Sequence, residues 1–243
     1  MCGRMTLARG GLDEIAAELE AVYAPEIATN YRARYNIAPT DRHLILRGEK
    51  ERYLQEGRWG VTRHARNQVR QPPIFNARAE TAAVRFPRAY AHRRCVVPAD
   101  GFYEWQASDD DPRTKAKGGK GARQPYWLHR RDGQLLLFAG FFDDEAPEGN
   151  GPGEVSLPRF CVLTTTPNEV IAPIHDRMPV ILARADVEAW LTRGDADLLR
   201  PAPAELLVAT PVSNRVNSVK NDDAACLAEV APAQIARRQM PLF

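Results

Sequence analysis

The second residue of the chain, Cys2 in "MCGR", stands between an initiator methionine and a glycine. Methionine aminopeptidases act when the second residue is small, and loss of Met1 leaves Cys2 with a free α-amine and a thiol on adjacent carbons. An α-amine titrates near 8, against about 10.4 for lysine, so at neutral pH it is roughly a hundredfold richer in the neutral, nucleophilic form. Such a pair condenses with an aldehyde. The amine forms an imine, and the tethered thiol adds to the imine carbon to close a five-membered thiazolidine. The same residue also suits acyl transfer, with its own amine as base. Cys2 alone leaves both chemistries open.

A second signal lies in the arginines. From Arg58 to Arg94 there are nine of them and one acidic residue, Glu80, although the net charge of the chain is only +2. With Trp59, Phe75, Phe86 and Tyr90 interspersed, this stretch suits a phosphate backbone with bases to stack on. A solvated basic face is the equal alternative. The four cysteines, Cys2, Cys95, Cys161 and Cys226, are scattered with no C-x-x-C spacing, so neither a zinc site nor a disulfide framework is expected. The last three read as small buried hydrophobes. No metal or organic cofactor is implied.

These residues need a scaffold. At 243 residues, 44% hydrophobic and 26% charged, the chain has the length and composition for a sizeable core. Apolar spacing predicts a helix over 12–23 and another over 186–193, stopped by Gly194. "HLILR", "RYLQEGRWG", "RCVVPA", "GFYEW", "PYWLHR", "QLLLFAGFF", "RFCVLTTT" and "MPVILA" read as strands, and Asp132–Gly133 predicts a hairpin between the fifth and sixth. "PNEVIAPI" reads as a short helix with Pro167 in its first turn. Hydrophilic stretches 107–123 and 143–157 read as surface loops. The expected fold is α+β, a single domain over 2–230 with a mostly antiparallel, barrel-like sheet and peripheral helices, followed by a tail, 231–243. The first apolar stretch is broken by Arg4, Arg9 and Asp13, and the longest apolar run, 135–142, is too short for a bilayer. A cytoplasmic protein without membrane contact is expected.

Six segments follow one another in order: "MCGR", "YNIAPT" (35–40), "FNARAET" (75–81), "RCVVPADGFYEW" (94–105), "HDRMPVIL" (175–182) and "VSNRVNSVKNDD" (212–223). Together they resemble the SRAP family (SOS response-associated peptidase domain), whose members crosslink to abasic sites in single-stranded DNA. The resemblance implies a peptidase-type N-terminal nucleophile at Cys2, exposed by Met1 removal, that forms a thiazolidine with the abasic-site aldehyde. It implies an active-site asparagine at Asn76, a proton-relaying glutamate at Glu104 and a histidine assisting proton transfer and crosslink reversal at His175. Arg4, Arg78 and Arg177 match arginines that hold flanking phosphates, and Pro39, Trp59 and Trp105 match further DNA contacts. Such a protein shields the lesion in the DNA damage response, associates with the nucleoid as a monomer, and carries self-processing and lyase side activities.

Taken singly, these residues have bland readings. Asn76 alone reads as a turn or cap residue, His175 as a core or loop histidine, and Glu104, alternating with Tyr103 and Trp105, as a solvent-facing carboxylate. The chain also departs from the family pattern, because a second tryptophan expected after "WG" is replaced near Ala65, with His64 and Arg66 beside it. At the other end, Gln239, Leu242 and Phe243 of "QMPLF" resemble the peptide by which bacterial proteins bind the sliding clamp, with an apolar end suited to a hydrophobic pocket. Two rival functions remain. One is an N-terminal-nucleophile hydrolase of the glutamine amidotransferase type, which also begins Met-Cys-Gly; the other is a non-covalent single-strand DNA-binding module.

Overall fold

A computed structural model describes residues 2–48, 50–62, 72–107, 123–143 and 157–231 of the chain. The expected loops 107–123 and 143–157 lie almost wholly outside the described residues. So do His64, Ala65, Arg66 and the tail with Gln239, Leu242 and Phe243.

The chain opens with β1 (Met5–Leu7), α1 (Leu12–Leu19), β2 (Val22–Tyr23), α2 (Pro25–Asn30), β3 (Arg34–Ile37), β4 (Arg42–Arg47) and β5 (Tyr53–Trp59). Next come β6 (Asn76–Arg78), α3 (Ala79–Arg85), α4 (Pro87–His92), β7 (Arg94–Ala99), β8 (Gly101–Ala107), β9 (Arg123–Arg130), β10 (Leu136–Asp143) and β11 (Arg159–Thr165). A two-residue β12 (Met178–Pro179), a helix at Val187–Thr192 and β13 (Leu207–Pro211) complete the order. The strands form two sheets. One runs β12-β11-β10-β7-β4-β5-β2, and β11 also pairs with β5, Arg159 opposite Arg58 and Phe160 opposite Trp59, so five strands close into a barrel. The other is antiparallel throughout, in the order β13-β9-β8-β1-β3. The fold is α+β with a closed barrel and peripheral helices, as the sequence predicts.

Closure explains the apolar runs. Inside the barrel, Trp59 stacks on Phe160 with ring planes 2° apart. Outside, Phe86 at the α3–α4 junction covers Phe141, and the Trp190 indole donates to the Cys95 carbonyl at 3.0 Å. Strands β7, β10 and β11 are thus covered on both faces and read as nearly continuous hydrophobic stretches. Cys95, Cys161 and Cys226 are free and buried, as expected for small hydrophobes.

Three local expectations change. The first helix stops at Leu19, because Glu20 turns left-handed (φ 52°) and Val22–Tyr23 pairs with β5 instead. The Asp132–Gly133 turn exists, with Gly133 at φ 71°, but it does not join a hairpin. Strand β9 pairs with β8 and β13, whereas β10 crosses into the barrel between β7 and β11. The turn forms as its residues dictate, and a strand apolar on both faces goes where both faces are covered. "PNEVIAPI" forms successive turns, Ala172 N–H to Asn168 O and His175 N–H to Ile171 O, rather than a helix. The second predicted helix shortens to Val187–Thr192 and ends at Gly194 with φ 67°.

His43 lies inside the barrel wall, fully desolvated, its Nε2 2.7 Å from the Pro98 carbonyl. Burial lowers its pKa from 6.5 to about 4. The folded state therefore binds fewer protons at this site than the unfolded chain between these values, and the His43 contribution to stability is complete above pH 6.5 and lost as pH falls towards 4, by roughly 3 kcal/mol. Thermal midpoints measured from pH 7 to pH 4 should fall less steeply in His43→Gln than in the wild type. Parallel curves would exclude His43 as the source.

Candidate active site

The amino-terminal strand delivers Cys2. Met5 lies opposite Phe102, Thr6 opposite Gly101, and the Tyr103 N–H donates to the Arg4 carbonyl at 3.0 Å. Continuing that antiparallel register sets Gly3 beside Glu104 and Cys2 beside Trp105. From the other side, β6 runs parallel to β11, with Asn76 opposite Val162, and the Asn76 amide donates to the Cys2 carbonyl at 2.7 Å. Asn76 Oδ1 is buried with no hydrogen-bond partner among the described residues. Cys2 has no exposed surface, and its thiol approaches the Arg4 carbonyl at 3.8 Å. Burial, with the Glu104 charge adding to it, pushes the thiol pKa far above its ordinary value.

Glu104 differs from the solvent-facing carboxylate that strand alternation suggests. It is 2% exposed, and the residues before it on β8, Gly101, Phe102 and Tyr103, are buried too, so both faces of the strand are covered there. Burial raises its pKa to about 7, against the opposing pull of the positive amino terminus. The carboxyl is therefore poised between acid and base at neutral pH.

His175 arrives on the turns after β11. They are tied to β8 by the Gln106 side chain, which donates to the Pro173 carbonyl at 2.9 Å. The His175 pKa is lowered, first by burial and then by the charge of the amino terminus. Its Nδ1 lies 3.0 Å from the Arg177 N–H and 2.9 Å from the Asp176 carboxylate. The two contacts ask for opposite protonation states. With the pKa lowered, the neutral ring prevails, Nδ1 accepting from Arg177 and Nε2 carrying the proton. Cys2 senses the charge of Glu104.

The arginines divide by role. Arg78 is exposed, with no carboxylate in ion-pair range among the described residues. Arg177 is nearly buried and grips Glu80 with two bonds, 2.7 and 2.8 Å, while donating to the Thr164 carbonyl. That pairing lowers the Glu80 pKa. The buried Arg177 Nε has no hydrogen-bond partner among the described residues. Arg4 donates to Asn36 Oδ1 and to the Val216 carbonyl, and its guanidinium lies 5.8 Å from the Trp105 ring. Trp105 is half-buried and donates to Asn217 Oδ1 at 2.7 Å. Pro39 is half-buried at the turn after β3. Trp59, by contrast, has no exposed surface. Its indole donates to the Phe75 carbonyl at 2.9 Å, so it holds the strand carrying Asn76 and offers no ring face to a base.

Three residues that support this arrangement had no role assigned from sequence. Asn36, 1% exposed, donates through Nδ2 to the carbonyls of Val216, Ser218 and Asn221, and so moors the turn that carries Asn217. Asp222 accepts from the N–H groups of Tyr35 and Asn36 and pairs with Arg34. Asn217 fixes Trp105. All three lie in "YNIAPT" or "VSNRVNSVKNDD", but only the fold brings those segments together. Among the described residues no group of three or more His, Cys, Asp or Glu is placed to hold a metal.

The profile of the family described as "SOS response associated peptidase (SRAP)" matches residues 1–219. The chain belongs to the SRAP family. Abasic site processing protein YoqW of Bacillus subtilis is 35% identical over 234 residues, spanning 91% of this chain and 96% of its own. Abasic site processing protein YedK of Escherichia coli is 29% identical over 245 residues, spanning 95% and 100%. Among solved structures, a protein from Bacteroides thetaiotaomicron superposes with a TM-score of 0.74 at 20% identity, covering 95% of this chain and 100% of that one. That likeness concerns the fold. Another, from Bordetella bronchiseptica, gives 0.66 at 27% identity, with 87% and 100% covered. The SRAP frame accounts for the order of the six segments. Each contributes to one locus around residue 2, except that "HDRMPVIL" and "RCVVPADGFYEW" also supply barrel strands. No helix among the described residues is long and apolar enough to cross a membrane.

Proposed function

We propose that this SRAP protein processes abasic sites in single-stranded DNA by forming a covalent thiazolidine through Cys2 once Met1 has been removed. The observation that carries the reading is the setting of residue 2. Asn76 anchors its carbonyl, and Glu104, a buried carboxyl raised to about 7, lies close enough to act on the Cys2 thiol through its charge.

The α-amine, with an ordinary pKa near 8, attacks the ring-opened sugar aldehyde first. The carbinolamine loses one water to give the imine. The thiol then adds across the C=N bond, sulfur to carbon and a proton to nitrogen. Glu104 takes protons as carboxylate and returns them as acid, and the His175 Nε2–H serves the sugar oxygen during ring opening. Arg78 holds one flanking phosphate. Arg177 reaches another through its Nε, or by exchanging Glu80, whose side chain is half-exposed. Trp105, Pro39 and Arg4 line the strand's path. The adduct shields the lesion; self-removal of Met1 and β-elimination from the imine draw on the same groups. A sliding-clamp contact through Gln239, Leu242 and Phe243 is proposed on the sequence alone. The amidotransferase reading ranks second because the arginine-rich stretch from Arg58 to Arg94 suits a polyanion.

The test mixes protein of verified Met1 removal with single-stranded DNA bearing one abasic site and resolves it under denaturing conditions. A shift seen with the lesion and absent with intact DNA is expected. No shift with fully processed protein would overturn the reading.

A further inference from the structure

The register that closes the barrel sets arginines against one another. Arg42 of β4 lies directly opposite Arg58 of β5, and Arg58 lies opposite Arg159 of β11. Alternation fixes their face. Their neighbours Trp59 and Phe160 stack inside the barrel and His43 packs near Phe160, so the three arginines share the outer face. Like charges directly opposite one another destabilise a sheet. Little on the protein offsets this for the first pair. Arg42 has Glu56 at 3.7 Å, and Arg58 donates to the Thr40 carbonyl with no carboxylate in ion-pair range among the described residues.

From this register we infer that Arg42, Arg58 and Arg159 form a second phosphate-binding row, which carries a single strand of nucleic acid over the outer face of the barrel. The inference rests on the nucleic-acid reading above and extends it to a surface away from Cys2. The row begins near the site. Strand β6 follows β5 along the same edge of β11, so Arg159 stands three residues, roughly 10 Å, before Val162 and its partner Asn76, whose side chain alternation turns to the opposite face, and a bound strand crosses the sheet edge between them. The turn holding Pro39 bridges the two, with the Thr40 N–H bound to the Trp59 carbonyl and the Thr40 carbonyl to Arg58. Strands about 4.8 Å apart space the guanidinium groups for successive phosphates, whose charge relieves the repulsion. Beyond Arg42 the row meets a cleft of about 230 Å³ beneath α2, where Arg34 is already committed to Asp41 and Asp222. The row therefore ends at Arg42.

The experiment compares the wild type with the Arg42→Gln/Arg58→Gln/Arg159→Gln triple variant and with Arg58→Gln alone. Equilibrium binding of lesion-free single strands is followed across a salt series. One strand is long enough to reach the row, the other limited to a few nucleotides around the site. Each phosphate contact contributes about 0.7 to the slope of log K against log salt for single strands. On the long strand the triple variant should lose about two units of slope, and Arg58→Gln about 0.7. On the short strand both should match the wild type. An unchanged slope on the long strand, or an equal loss on the short one, would overturn the row; an acidic protein would then be the better occupant. The two proposals fail separately. Lesion-dependent adduct with unchanged slopes sinks the row alone, and altered slopes without adduct sink the Cys2 chemistry alone.

Discussion

Cys2→Ala, with Met1 removed, is expected to abolish the denaturation-resistant adduct while keeping a reducible one. Alanine at position 2 retains the α-amine, and Asn76 still holds the backbone carbonyl, since that contact does not involve the side chain. Imine formation therefore survives, and borohydride should trap it. Without sulfur no ring closes, so the imine persists and can undergo β-elimination. Untreated reactions should show at least tenfold less stable adduct and more strand cleavage at the lesion than the wild type. Protein retaining Met1 should lack the stable adduct, because the nitrogen of residue 2 is then a peptide nitrogen and no thiazolidine can close. A stable adduct of wild-type yield in Cys2→Ala would place the crosslink on another residue.

The second large effect concerns Glu104. General acid–base groups typically contribute 10²–10⁴-fold to rate. Glu104→Gln keeps size and hydrogen-bonding capacity but cannot carry protons, so crosslinking should slow by at least about a hundredfold. The pH profile distinguishes this from a packing defect. With a folded pKa of about 7, Glu104 is largely the acid below neutrality and largely the base above it. The wild-type rate should therefore break near pH 7, and the variant should lose that break. Its stability should also respond with a definite sign. The folded carboxyl holds its proton to higher pH than the ordinary value of 4.5, so the folded state binds more protons in that window. The Glu104 contribution to stability therefore falls as pH rises from 4.5 to 7, and Glu104→Gln should remove it. A slow variant that keeps the break near neutrality would move the proton relay elsewhere, His175 being the first candidate.

The His43 and Glu104 contributions oppose one another over the same pH range, since burial penalises a cation in one and an anion in the other. The wild-type midpoint is thus flatter against pH than either single variant reveals. Only the pair of substitutions separates them.

Much of this protein was legible in its sequence. The aminothiol at residue 2, the strand segments, the α+β class, the barrel and the family all follow from residue types, period and the order of six segments. These are local properties, and local order survives in a one-dimensional string. What the tertiary structure decided is which faces are covered. Glu104 reads as an exposed carboxylate in an alternating strand, and becomes a buried group near neutrality only because β8 is central and covered on both sides. Trp59 reads as a stacking platform, but barrel closure turns it inward onto Phe160. Arg177 reads as a free phosphate ligand, and the fold pairs it with Glu80. Asp132–Gly133 reads as a hairpin, and the two strands part because only the barrel covers both faces of β10. The row of Arg42, Arg58 and Arg159 is invisible in sequence, since the last lies 101 positions beyond the second and only the closing register makes them neighbours. Chemistry was written in the residues. Burial and charge environment, which set how that chemistry behaves, arise from contacts between segments far apart in the chain.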